Sequence, residues 1–167
     1  NVTYDPFDLV TPTTVTNPVL LANNITDVTA KFVADSFLFY ENNTWYLFNE
    51  ILNNSNNQGD LGVSTSTDGL HWTYQQIVLN ESWHLSYPYV FKYNGIYYMI
   101  PETHIINEIR IYKATNFPYT WSYDATLVSG RDFSDSSIFR YNGKWWIFTS
   151  DSSHSNCYLY YSNNLKS

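Results

Sequence analysis

Residues 35–50 (DSFLFYENNTWYLFNE) recur without gaps at residues 87–102 (YPYVFKYNGIYYMIPE) and at residues 135–150 (DSSIFRYNGKWWIFTS). The starts of the three segments are 52 and 48 residues apart. Each segment consists of an apolar and aromatic run, a polar turn, and a second aromatic run. Two such runs joined by a short polar turn indicate a β-hairpin, so the sequence predicts the same hairpin three times.

The turn residues of these hairpins are of the type that a two-residue loop requires. A type I′ turn needs positive φ at both central residues, which Asn-Gly tolerates well. The second and third segments carry Asn94-Gly95 and Asn142-Gly143, and Asn42-Asn43 takes the same place in the first. The register of all three hairpins is therefore predicted from their turns.

Further short strands follow each hairpin. A third strand is predicted at residues 61–65, 109–113 and 158–161, and a fourth at residues 72–79 and 121–128. Four antiparallel strands in a repeat of about fifty residues are typical of a β-propeller blade. No segment has the periodicity of an amphipathic helix, so the predicted fold is all-β.

The predicted organisation divides the chain into blades at residues 35–86, 87–134 and 135–167, the last incomplete. Residues 1–34 form an N-terminal segment, with a closing strand expected at residues 18–21. Propellers usually close with four to eight blades. Two explanations remain open: the sequence is a fragment of a longer propeller, which we favour, or other chains cover its open sheet edges.

Composition and charge exclude several classes of partner. The chain has 167 residues, 44% hydrophobic, which is enough for one folded domain. A net charge of −7, with 8 Lys and Arg and no basic cluster, argues against nucleic acid. No apolar run reaches the roughly 18 to 20 residues that cross a bilayer, so no membrane span is expected. The four His and single Cys lack metal-ligand spacing, and we expect no metal and no cofactor.

Five Asn-x-Ser/Thr sequons occur along the chain, at Asn1, Asn24, Asn42, Asn53 and Asn80. Because such sequons are acceptors for N-glycosylation, their number predicts a glycoprotein that is secreted or lies in the lumen of the secretory pathway. The first residue is Asn rather than Met, so we expect a processed or partial product. Asn42 is expected at an exposed hairpin tip, where a glycan has room.

Residues 17–37, 84–91 and 98–103 resemble the five-bladed propeller modules related to glycoside hydrolase family 43. The chain is most similar to the propeller domain of glucosamine inositolphosphorylceramide transferase-like proteins, over about residues 17–165. In the hydrolases, an Asp base opens the first blade, an Asp that tunes the acid opens the third, and a Glu acid opens the fourth. The resemblance implies these first two roles for Asp35 and Asp135, and it places the Glu acid beyond Ser167.

Two carboxylates at equivalent hairpin positions suit glycoside chemistry, since inversion needs one carboxylate to activate water and one acid to protonate the leaving oxygen. The Asp-Pro pair of the hydrolases is Asp35-Ser36 and Asp135-Ser136 here, which relaxes the backbone restriction that Pro imposes. The resemblance therefore implies a carboxylate site with an incomplete set of catalytic groups.

Further candidate ligand-binding residues flank these carboxylates. Glu50 and Glu102 end the second strands of two hairpins in equivalent positions. His104 follows at the expected mouth of the propeller, where polar groups are well placed for a ligand. Trp83, His84 and Tyr87 offer flat rings on which a sugar could stack.

Three functions are consistent with these features. The first is a non-catalytic, glycan-facing propeller module of a secreted or lumenal N-glycosylated protein, with carbohydrate as its partner. The second is a glycoside hydrolase of family 43 type acting on polysaccharide. The third is a structural subunit of an extracellular coat or fibril, in which open blade edges pair with neighbouring chains.

Overall fold

The computed structural model describes residues 9–166, which contain eleven β-strands and two short 3₁₀ helices. The helices are Ala22–Asn24 and His104–Ile106. The strands are β1 (Ala30–Glu41), β2 (Thr44–Asn53), β3 (Gln58–Ser66), β4 (Thr73–Leu79), β5 (Ser86–Tyr93), β6 (Ile96–Glu102), β7 (Glu108–Asn116), β8 (Thr120–Ser129), β9 (Phe133–Tyr141), β10 (Lys144–Asp151) and β11 (Cys157–Ser162).

The strands form three antiparallel sheets in which neighbours in sequence are neighbours in space. The sheet orders are β1-β2-β3-β4, β5-β6-β7-β8 and, for the described part of the third, β9-β10-β11. This meander of four strands is the arrangement of a propeller blade. The predicted all-β propeller fold is confirmed, and we call the three sheets blades 1, 2 and 3.

The hairpin turns have the predicted geometry. Both central residues of each turn have positive φ, from 49° to 79°. The flanking residues pair directly, as in Glu41 with Thr44, and the two other hairpins pair in the same way. Asn and Gly at these positions accept the left-handed conformation at little cost, so the turns fix the register of the inner strands.

The predicted closing strand at residues 18–21 does not form; these residues adopt bends and an extended segment. Pro18 has no N–H to donate to a strand ladder. The N–H of Leu21 donates to Oδ1 of Asn24 at 2.7 Å. Because these backbone donors are missing or used locally, the segment precedes the first blade as a loop.

The core lies between the blades in two layers. Between blades 1 and 2, the buried side chains include Phe48, Leu61, Met99, Tyr112 and Trp121. Between blades 2 and 3, they include Ile100, Ile111, Ile138, Trp145 and Ile147. Each fully buried side chain of this size stabilises the fold by about 1.5–3 kcal/mol relative to exposure. The packing of these layers fixes the inner strands β1, β5 and β9 beside one another.

Candidate functional site

The three inner strands carry the same irregularity at the same position. A shift of register, typical of a β-bulge, interrupts the pairing between Ala34 and Phe37, with equivalent shifts in β5 and β9. The residues at these bulges are Asp35, Tyr87 and Asp135, with φ of 49°, 49° and 51°. Bulges re-aim side chains beside functional sites. Left-handed backbone is uncommon for residues other than Gly, so this repeated geometry marks the site.

Asp35 is tied to the equivalent residue of the next blade. Its Oδ2 accepts a hydrogen bond of 3.1 Å from the backbone N–H of Tyr87. Partial burial raises the pKa of Asp35 above its ordinary value, and the negative charges of Glu50 and Glu102 act in the same direction, against the lowering effect of the Tyr87 N–H. The carboxyl group therefore holds its proton more tightly than a free Asp.

Asp135 has similar surroundings one blade further on. Its backbone N–H donates to Oε2 of Glu102 at 3.1 Å. Partial burial and then the negative charge of Glu102 raise the pKa of Asp135. The Nδ1 atom of His154 lies 4.0 Å from Oδ2 of Asp135 and partly offsets this effect.

Glu50 faces an imidazole from the loop between blades 1 and 2. Oε1 of Glu50 lies 3.1 Å from Nε2 of His84, whose Nδ1 accepts a hydrogen bond of 2.9 Å from the backbone N–H of Gly59. The hydrogen bond to Glu50 raises the pKa of His84, while burial acts against it. Gly59 is required here because an added Cβ would lie 2.2 Å from the backbone oxygen of Leu85.

Glu102 links blades 2 and 3 and lies beside a second imidazole, that of His104. Its Oε1 lies 2.7 Å from Nδ1 of His104. Tyr87 lies between the two Asp residues, with its hydroxyl 3.2 Å from Oγ of Ser137. The ring of Tyr87 packs edge-on against Phe37, with 4.7 Å between the ring centroids. We call Asp35, Glu50, Glu102 and Asp135 the carboxyl cluster.

The structure thus connects seven of the eight candidate residues around the inner strands. They are Asp35, Glu50, His84, Tyr87, Glu102, His104 and Asp135. Trp83 lies elsewhere, packed against the core between blades 1 and 2. The guanidinium of Arg110 lies 5.1 Å from the centroid of its ring. Stacking of Trp83 on a ligand stays a prediction.

Two residues at the site escape sequence reasoning. His154 comes from the loop after β10, and Ser137 from β9 beside the bulge. The repeat gave one usable signal for His154, because it follows Ser150, the position that matches Glu50 and Glu102. No comparable signal existed for Ser137.

The carboxyl cluster can accept hydrogen bonds from hydroxyl groups or hold a cationic group. Carboxylate oxygens are strong acceptors, and their bonds to charged donors are shorter and stronger than neutral ones. Within residues 9–166, no group of three His, Cys, Asp or Glu side chains is arranged to hold a metal ion. The same part of the chain has no helix long and apolar enough to cross a membrane.

An apolar cavity of about 190 Å³ lies away from the cluster, between blades 2 and 3. Its lining includes Leu127, Ile138, Trp145, Ile147 and Leu165. Because most of its lining side chains also belong to the core between blades 2 and 3, we assign it to the packing of two blades. The carboxyl cluster, with its shared charges and repeated bulges, is the better candidate.

The meandering antiparallel blades define the class of this protein: a β-propeller fold, which glycoside hydrolases also have. Two solved structures have this fold. A glycosyl hydrolase from Bacteroides ovatus matches with a TM-score of 0.70 at 15% identity, over 93% of this chain and 56% of that one. A family 43 glycoside hydrolase from Bacillus licheniformis matches with a TM-score of 0.65 at 13% identity, over 88% and 30%.

Sequence comparison gives the particular family. The family model for the N-terminal part of glucosamine inositolphosphorylceramide transferase 1 matches residues 8–164, and the chain belongs to this family. Glucosamine inositolphosphorylceramide transferase 1 from Oryza sativa subsp. indica is 44% identical over 140 residues. That alignment covers 82% of this chain and 19% of the rice protein. The chain therefore spans about a fifth of this curated relative, and the resemblance seen in the sequence is confirmed.

Proposed function

We propose that the carboxyl cluster binds carbohydrate, and that the chain is the non-catalytic, sugar-facing propeller part of a secreted or lumenal protein. The observation that carries this proposal is the repeated bulge, which directs Asp35 and Asp135 toward Glu50 and Glu102. Sugar hydroxyls donate hydrogen bonds to such carboxyl groups. The number of sequons supports the secretory placement.

Charge favours the sugar over the phosphate of a glycolipid. The cluster brings together four carboxyl groups, and the negative charge of Glu102 raises the pKa of both Asp35 and Asp135, so an anionic phosphate would be repelled. A protonated amino sugar would be attracted, by about 1 kcal/mol for a charge pair at 4 Å in water. The matched rice relative is named for glucosamine. We therefore propose an amino sugar as the preferred ligand.

Calorimetric titration of the whole natural polypeptide tests this proposal. We expect glucosamine to bind about fivefold more tightly than N-acetylglucosamine, because only the free amine is charged. Inositol phosphate is expected not to bind. Asp35→Asn and Asp135→Asn should each weaken glucosamine binding about tenfold, the loss of one hydrogen bond to a charged group.

Glu41→Gln is the matched control, because Glu41 lies on the same strand as Asp35 but pairs with Lys92 at 2.7 Å. This variant should bind glucosamine as the parent does. Equal binding of the two sugars would contradict the charge argument. Unchanged binding by both Asp variants would contradict carbohydrate binding at this site.

Hydrolysis is the second candidate, favoured by the raised pKa of Asp135 beside Glu102. A carboxyl group that keeps its proton can act as a general acid, while a second carboxylate activates water. Release of nitrophenol from aryl glycosides by the parent, and its loss in Asp35→Asn, would establish this function. No release above the Asp35→Asn background would leave binding as the role of the cluster.

A further inference from the structure

The sequons differ sharply in their surroundings. Asn1 lies outside the described residues, whereas Asn24, Asn42, Asn53 and Asn80 can be compared. N-glycosylation attaches a sugar to the side-chain amide nitrogen, so the relevant question is what each Nδ2 contacts. The contacts of Nδ2 differ between Asn42 and Asn53.

The side chain of Asn53 is buried and hydrogen-bonded inside blade 1. The residue is only 8% exposed, and its Nδ2 donates to Oδ2 of the fully buried Asp60 at 3.1 Å. Its Oδ1 accepts from both the backbone N–H and the hydroxyl of Ser55. Asn80 also donates its amide to Asp60. The Asn53 amide thus satisfies a buried carboxylate, which would be costly to leave unpaired.

Asn42 has the opposite surroundings. It lies exposed at the tip of the hairpin between β1 and β2, with φ of 51°. Within residues 9–166, its side chain forms no hydrogen bond that a glycan would displace. A sugar at this position replaces only contacts with water.

We propose that Asn42 is an N-glycosylation site and that Asn53, despite its intact sequon, is not. The proposal rests on the secretory placement proposed above, but not on sugar binding by the carboxyl cluster. In the transfer, the Asn42 Nδ2 forms a bond to the anomeric carbon of an oligosaccharide carried on a lipid pyrophosphate. The bond from that carbon to the pyrophosphate oxygen breaks, the lipid pyrophosphate leaves, and Nδ2 gives up one proton.

A glycan at Asn42 would leave the carboxyl cluster open. Six residues of β1 lie between Asp35 and Asn42, which corresponds to about 20 Å of extended chain. The hairpin tips of all three blades lie at this same end of the inner strands. The glycan therefore occupies the face of the propeller that is opposite to the site.

Glycopeptide mass spectrometry of the whole polypeptide, produced in a eukaryotic secretory host, tests the choice between the two sequons. We expect the peptide with Asn42 to carry a glycan and the peptide with Asn53 to be unmodified. Thr44→Ala and Ser55→Ala are matched variants, because each removes the hydroxyl residue of one sequon. Thr44→Ala should lower the mass by one glycan, and Ser55→Ala should not.

A glycan on Asn53 in folded protein, or an unmodified Asn42, would overturn the proposal. Measuring the same peptides in protein from the natural source tests the secretory placement separately. An unmodified Asn42 there, with a glycan in the host, would contradict that placement and leave the choice between sequons intact. Neither outcome depends on binding at the carboxyl cluster.

Discussion

The imidazole of His84 is held between Glu50 and Gly59 in a single orientation. Its Nε2 lies 3.1 Å from Oε1 of Glu50, and its Nδ1 accepts from the backbone N–H of Gly59 at 2.9 Å. Because Nδ1 is an acceptor, the neutral ring carries its hydrogen on Nε2 and donates it to Glu50. Protonation adds a hydrogen to Nδ1 and must break the bond from Gly59.

Replacing Glu50 by Gln should lower the pKa of His84, because the hydrogen bond to the carboxylate is the main cause of its rise. Loss of one close opposite charge is expected to lower the midpoint by about 1 pH unit. Titration followed by NMR measures this directly. In the parent, the Gly59 amide resonance should shift with the same midpoint as the His84 ring, and an unchanged midpoint in Glu50→Gln would contradict the assigned contact.

Gly59→Ala should destabilise the fold and displace His84. The added Cβ would meet the Leu85 oxygen at 2.2 Å and Cε1 of His84 at 2.8 Å. Overpacking of this kind costs about 1–3 kcal/mol, measurable by denaturant unfolding. The displaced ring should also weaken glucosamine binding.

Gly95→Ala is the control for this substitution. Gly95 has no atoms near the position of a new Cβ, but its φ of 79° disfavours any other residue. Gly95→Ala should lower the free energy of unfolding by about 1–2 kcal/mol through backbone conformation alone. The His84 and Gly59 resonances should remain unchanged in this variant, and a shift in them would show that the effect of Gly59→Ala is not local.

Much of the fold was predictable from local chemistry. The pairs Asn94-Gly95 and Asn142-Gly143 indicate their turn type directly, and the alternating aromatic runs around them indicate strands. Because Asp35 and Asp135 occupy equivalent positions in the repeat, the sequence also predicted that they lie near each other. Residues 18–21 form no strand among the three sheets of the described residues, and the Leu21 N–H bonds locally to Asn24 instead.

The site was less predictable, because its geometry depends on backbone conformations that its residue types do not indicate. Asp35, Tyr87 and Asp135 adopt positive φ, although only a small fraction of residues other than Gly do so. Trp83 was a candidate because its flat ring could stack on a sugar, but its neighbour in space is Arg110, 27 residues further along the chain. The alternation of residues along a strand indicates the sheet face on which each one lies. The contacts of a loop residue such as Trp83 depend instead on tertiary packing.

Asp35→Asn and Asp135→Asn should each stabilise the fold at pH 7. Both Asp residues have a folded-state pKa above the ordinary 3.8, so the folded state binds protons more tightly than the unfolded state. Stability contributed by these groups is therefore present below about pH 3.8 and is lost as the pH rises through the folded-state pKa. Asn removes the charge and still accepts the Tyr87 N–H at position 35.

The gain at pH 7 should be at most about 0.5 kcal/mol, since Asp135 is 44% exposed and solvent screens its interactions. Thermal unfolding at pH 7 and pH 3 checks this. The difference from the parent should disappear at pH 3, where the carboxyl groups are protonated in both states. Glu41→Gln should have the opposite sign at pH 7, because it loses the ion pair with Lys92.

The outer face of blade 3 should make the isolated 167-residue chain self-associate. Phe139 and Phe148 stack there with both rings 44% exposed, next to Leu159 at 51%. The opposite face of the same sheet is buried against blade 2. An apolar sheet face of this kind is expected to be covered, by a further blade or by another chain.

Light scattering and binding of a hydrophobic dye measure this association. Phe148→Ser should reduce both, whereas Ile105→Ser, an exposed apolar residue in the short helix His104–Ile106, should change neither. A parent chain that stays monomeric at high concentration and binds no dye would contradict the prediction. It would also remove the physical basis for a coat or fibril, because that assembly requires the same face to bind a neighbour.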